Sequence, residues 1–155
     1  MTIETPATVV VAASGVSYRV LEYGPVASLQ EAAAKRGVTV AQVMKSLVVR
    51  TGEDAFVMVI VPGDRVIDWP KLRAHLGVSR MSLADATEAL EVTGYPRGAI
   101  TPFGSKRALP VICDASAAGE ISLGGGAHGV SIHLDAADVV ALTGADVVDV
   151  TRPID

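Results

Sequence analysis

The stretch KSLVVRTGEDAFVMVIVPGD, residues 45–64, constrains the fold of this chain more than any other. Two runs rich in Val, Leu and Ile, Ser46–Arg50 and Ala55–Val61, flank Thr51-Gly52-Glu53-Asp54. Apolar, β-branched runs on either side of a short polar loop containing Gly predict a β-hairpin. The second run is almost continuously apolar instead of alternating. It is therefore expected in the middle of a sheet, covered on both faces. Pro62-Gly63-Asp64 ends it.

The covering elements can be read on either side. Val16–Tyr23 predicts a strand, broken by Gly24-Pro25. Ser28 and Glu31 form a capping box that opens the helix LQEAAAKR, closed by Gly37. Thr39 and Gln42 repeat the pattern and predict a short helix to about Met44. Trp69–Leu76 predicts a helix with Pro70 in its first turn and Gly77 beyond its end. Asp85 and Glu88 open another, which stops before Gly94. Leu109–Cys113, Glu120–Leu123 and Val130–Leu134 predict strands. Asp135 caps a helix from about Ala136 to Leu142, and Asp146–Val150 predicts a final strand. With no internal repeat or linker, residues 1–155 are expected to form a single α+β domain. Its sheet should be mainly antiparallel or mixed and curl into a partial barrel, with short flanking helices.

Composition narrows the setting. Mean hydropathy is +0.42, yet the longest apolar run, AFVMVIVP, falls far short of the ~20 residues that span a bilayer. The segment MTIETPATVV has neither a basic n-region nor an apolar h-region, so no signal peptide is expected. A single cysteine, Cys113, excludes an internal disulfide and fits a cytoplasmic protein. The net charge of −4 argues against a broad nucleic-acid surface. The charge is uneven, however. Residues 65–107 hold seven Lys/Arg against four Asp/Glu, and residues 108–155 hold one Arg against seven Asp/Glu. A modest basic face on an acidic protein is compatible with that distribution.

Several chemistries are excluded by pattern. His75, His128, His133 and Cys113 lack zinc-ligand spacing. No glycine-rich dinucleotide or phosphate loop stands between a strand and a helix, and there is no GxSxG elbow. No metal or cofactor is expected. Cys113, in an apolar strand, reads as a small core residue.

Three features remain. Lys45 interrupts the apolar VMKSLVV, and it either snorkels to water or points into a cleft as a cationic donor. Gly98-Ala99-Ile100-Thr101-Pro102, followed by Phe103-Gly104, is either an ordinary turn or a rigid loop whose N–H groups can hold an oxygen. Arg97, Lys106 and Arg107 beside it are candidate phosphate contacts. Gly124–Gly129, GGGAHG, is either a tight turn or a point of close ligand approach.

Together and in this order, these pieces resemble the YbaK family of aminoacyl-tRNA deacylases, which includes the editing domain inserted in bacterial prolyl-tRNA synthetases. The matching segments are VMKSLVV, AFVMVIVPGDRVID, KLRAHLG, GYPRGAITPFG, LPVICD and SLGGGAHGVSIHLDAADVVALTGADVVDV, covering about residues 28–150. The resemblance implies hydrolysis of the ester joining a wrong amino acid to the 3′ end of tRNA. Cys-tRNA(Pro) is the first expectation and Ala-tRNA(Pro) the second. It implies catalytic roles for Lys45 and Gly98. It also implies substrate contacts from Ala99, Ile100, Thr101, Pro102, Gly125, Gly126 and His128. A partner prolyl-tRNA synthetase is compatible with it. Where relatives carry basic residues, as in GGRRG, this chain has Ala127 and His128. That difference favours the alternative, a non-catalytic module that binds a tRNA end or a synthetase.

Overall fold

The computed structural model describes residues 3–154. The predicted hairpin is present as β2 (Met44–Gly52) and β3 (Ala55–Pro62), preceded along the chain by α1 (Pro6–Ser14), β1 (Arg19–Glu22) and α2 (Leu29–Arg36). Both hairpin strands run longer than the sequence suggests. They leave a two-residue turn with Asp54 at φ 53° and a register shift between Arg50 and Gly52. The segment after α2 is a single 3₁₀ turn, Val40–Gln42, so Met44 already belongs to the strand.

Downstream lie β4 (Arg65–Ile67), α3 (Trp69–Leu76), β5 (Ser82–Leu83), α4 (Ala86–Thr93), β6 (Val111–Asp114), β7 (Glu120–Gly124) and β8 (Val130–Asp135). The chain continues through α5 (Ala136–Thr143), β9 (Asp146–Val148) and β10 (Thr151–Pro153). The order β5-β2-β3-β6-β9 makes a five-stranded sheet with β3 at its centre. Pairs β3–β6 and β6–β9 are parallel because helix-containing crossovers separate these strands in sequence. The pairings of β1–β8, β7–β8, β4–β10, β2–β3 and β2–β5 are antiparallel. The α+β expectation holds, with a predominance of antiparallel pairing. The sheets do not close into a barrel. The three-stranded sheet β1-β8-β7 meets the larger one at a single bridge, Val43 to Ser122.

β3 is covered on both faces, as its composition requires. Phe56, Met58 and Ile60 enter one core cluster, with Met44, Val48, Ile121, Leu123, Ile132 and Cys113. Val57, Val59 and Val61 enter the other, with Val49, Leu72, Ile112 and Val150. Ile60 is wholly buried, so truncation to Ala should cost about 2–5 kcal/mol.

The sequence reading left α1 out. Thr5 caps it, taking the Thr8 N–H at 3.1 Å, and Pro6 stands at its first position. The helix buries Ala7 and Val11 in the first cluster. The same Thr5 hydroxyl donates to the Gly125 carbonyl at 2.6 Å, pinning the helix start to the later glycine turn.

Candidate active site

β2 is a partly open edge. β5 pairs with it only at Val49 and Arg50, and the Ala84 N–H donates to the Val48 carbonyl at 2.9 Å. By the alternation of an antiparallel strand, the backbone groups of Ser46 face that same side beyond the end of β5. A cavity of about 360 Å³ occupies the gap. Its floor is Val43–Val48, and its walls include Leu83, Ala84 and Ala89 on one side and Gly124 at the end of β7. Arg97, Gly98 and Ile100 close it from the loop that follows α4.

Three elements that sequence reasoning singled out therefore converge on one hollow. Contact between the loop and β7 is close. A Cβ on Gly124 would stand 2.8 Å from the Ile100 carbonyl oxygen, and the Gly126 N–H donates to the Ala99 carbonyl at 3.2 Å. Gly98 has φ 93°, in the left-handed region where a side chain is strained. The Ala99 N–H is spent on the Pro96 carbonyl at 2.9 Å. The N–H groups of Gly98, Ile100 and Thr101 take no acceptor among the described residues, and of these three residues Gly98 and Ile100 line the cavity.

Lys45 lines the cavity, and its ammonium donates to the Arg65 carbonyl at 2.6 Å. Burial pushes its pKa below the ordinary lysine value, with Asp64 opposing. The side chains of β2 alternate, so Met44, Ser46 and Val48 share the face that meets Ile100 and Ala84, while Lys45 is on the other. Ser46 had gone unnoticed in the sequence. Its hydroxyl is buried and has no hydrogen-bond partner among the described residues. The cavity lining also includes Arg36, which its place at the end of an exposed-looking helix had concealed. The lining thus holds three cations, Arg36, Lys45 and Arg97, and no carboxylate.

The remaining expected site residues lie elsewhere. Thr101 is wholly buried, with an unpartnered hydroxyl. Pro102 lines a separate hollow with Phe103 and Val10. Gly125 and Gly126 pack against Val130, Tyr95 and Thr5. His128 is exposed beside Gly98. Lys106 is exposed, and Arg107 pairs with Asp54 at 2.8 Å and covers the Phe56 ring. Cys113 is buried in the core, where burial pushes its thiol up to about 11.

A family model described as an aminoacyl-tRNA editing domain matches residues 24–142, most of the chain and all of the cavity. The chain belongs to this family. Among relatives of this editing domain, the multifunctional Ser/Thr-tRNA deacylase ProXp-y of Escherichia coli K12 is 29% identical over 144 residues, covering 89% of this chain and 86% of the relative. The proline–tRNA ligase of Thermosipho africanus is 39% identical over 82 residues, which are 53% of this chain but 14% of the ligase. The editing domain thus spans a small part of the ligases it resembles. A solved structure described as a candidate trans-editing enzyme for prolyl-tRNA synthetase superposes with a TM-score of 0.87 at 26% identity, over 97% of this chain and 99% of that one. The hypothetical protein APE2540 gives 0.88 at 27% identity, over 96% and 100%. No helix among the described residues is long and apolar enough to cross a membrane.

Proposed function

We propose that this chain hydrolyses mischarged aminoacyl-tRNA in trans, removing a small wrong amino acid from tRNA(Pro). One observation carries the reading. Gly98 and Ile100, whose N–H groups take no acceptor among the described residues, line a small cavity whose lining carries three cations and no acid. That combination suits an ester carbonyl next to an anionic nucleic-acid end. In the reaction, the loop N–H groups receive the carbonyl oxygen as it gains negative charge. A water, oriented by the free ribose hydroxyl of the terminal nucleoside, forms the new C–O bond. The bond to the esterified ribose oxygen breaks, and the water's proton goes to that oxygen. Because an aminoacyl ester is already activated, placement and charge stabilisation suffice without a side-chain nucleophile. Lys45 fixes the terminal ribose or phosphate through the ammonium protons that Arg65 leaves unused.

Cys-tRNA(Pro) and then Ala-tRNA(Pro) are the proposed substrates, and a cavity of about 360 Å³ supports a small amino acid. A second choice of amino acid has its own support. The unpartnered Ser46 hydroxyl belongs to the stretch of lining between Met44 and Val48, and a site that can bond a substrate hydroxyl discriminates against analogues lacking it. This favours a seryl ester, in keeping with the Ser/Thr specificity in the name of the E. coli relative. Single-turnover deacylation by the wild type and by a folded Gly98→Pro variant tests the mechanism. Removal of an N–H and of the left-handed conformation should slow hydrolysis at least about 10²-fold. An unaltered rate would refute the role of the loop.

A further inference from the structure

Arg36 ends α2, next to the capping Gly37, where a cation ordinarily faces solvent and complements the helix dipole. Instead the residue is only 9% exposed. Its Nε and Nη2 donate to the Tyr23 hydroxyl at 3.1 and 2.7 Å, and its Nη1 donates to the Ser122 Oγ at 3.1 Å. The guanidinium carbon stands 5.2 Å from the centre of the Tyr23 ring. These partners are all neutral. No carboxylate among the described residues forms an ion pair with Arg36. Ser122 leads inward to His133, whose Nε2 is 3.3 Å from the Ser122 Oγ and 2.9 Å from the Ser131 Oγ. This network orients the guanidinium without neutralising it.

An arginine keeps its charge, and a buried charge without a counterion is costly. Three of the five guanidinium N–H groups are spent on hydroxyls and two remain. Arg36 lines the cavity, as Lys45 does, and its bond to Ser122 holds it at the seam where Val43 bridges to that residue. We infer that Arg36 is a preorganised anion site in the cavity wall, which takes the phosphodiester that precedes the esterified terminal nucleoside. The inference rests on the proposed editing reaction. In that substrate the internucleotide phosphate is the anionic group, while the amino acid presents an ammonium that Arg36 repels. Arg36 therefore fixes the direction of the bound end, with phosphate toward the α2 seam and the amino acid toward Gly98.

Two non-hydrolysable probes test this. One is 3′-seryl-amido-3′-deoxyadenosine, and the other is the same nucleoside carrying a 5′-phosphate methyl ester. Calorimetry on the wild type should show the phosphodiester probe binding about tenfold tighter or more, the range expected of charge-assisted hydrogen bonds. Arg36→Gln should remove most of that ratio and leave affinity for the phosphate-free probe within about twofold. A folded Arg36→Gln protein that keeps the wild-type ratio, or that weakens both probes equally, would overturn the inference. Tyr23→Phe is the second variant, since it leaves the charge and removes the hydroxyl that aims it. Its ratio should fall by about threefold or more, and an unchanged ratio contradicts the proposal whether or not Arg36→Gln folds. A wild type that hydrolyses mischarged tRNA but does not distinguish the probes overturns the anion site alone. A wild type that neither binds the probes nor hydrolyses mischarged tRNA removes both readings.

Discussion

The imidazole of His128 lies against the backbone of Gly98, so that a Cβ on Gly98 would stand 3.4 Å from its Cε1. That distance is an ordinary contact, so the constraint on Gly98 is its conformation, with φ at 93°. Gly98→Ala should therefore displace the loop's N–H groups and lower kcat by about 10²-fold, with a smaller change in KM. His128→Ala removes the neighbouring ring but leaves the left-handed strain. The double variant should stay slow, which stopped-flow or quench measurements on mischarged tRNA can check.

Lys45 offers a pH test. Burial holds its pKa below the ordinary lysine value, with Asp64 opposing, so its positive charge is lost earlier than usual as pH rises. Affinity for a non-hydrolysable analogue should fall in the wild type as rising pH removes that charge, ahead of where an ordinary lysine would lose it. Lys45→Arg stays charged throughout and should show no such fall. Lys45→Ala should raise KM about tenfold while leaving kcat less affected.

These two residues also show what the sequence carries. The hairpin, α2 and α3 were legible because their signals are local: β-branched runs, Ser28 with Glu31 as a cap, Pro70 just inside a helix start. The strands β4, β5 and β10 have two or three residues each and exist only through distant pairing, such as Thr151 with Ile67. Arg36 reads locally as a dipole-complementing cation. What buries it is Ser122, 86 positions away, and a tyrosine on the preceding loop. Ser46 was masked by its neighbour, because a lysine in an apolar run is conspicuous and a serine is not. The convergence of Lys45, Gly98 and Gly124 is a property of the open β2 edge, which no segment shows by itself.

Thr5 couples a helix start to the glycine turn. It caps α1 and donates to Gly125 with one hydroxyl. Thr5→Ala should cost about 1–2 kcal/mol in urea unfolding. Thr5→Ser keeps both interactions and should lose much less. Equal stability of Thr5→Ala and the wild type would show that α1 is not held by this contact.

His133 predicts an acid limit to stability. Its pKa is pushed down to about 4, first by burial and then by the charge of Arg19 and Arg36, with Glu120 opposing. The unfolded chain takes up the proton near pH 6.5, and the folded one refuses it until about 4. The stability contributed by keeping the ring neutral is complete above about pH 6.5 and is lost as pH falls toward 4, up to about 3 kcal/mol. His133→Gln should flatten the dependence of unfolding free energy on pH across that window. An unchanged slope would remove His133 from the acid response.

The most direct measurement is the fate of a panel of tRNA(Pro) charged with Cys, Ala, Ser or Pro and incubated with catalytic amounts of the protein. At least one of the three wrong esters should disappear on the order of 10²-fold faster than its spontaneous hydrolysis, while Pro-tRNA(Pro) persists. Binding of the charged tRNA with no acceleration for any of the three would contradict catalysis and leave a domain that only holds the tRNA end.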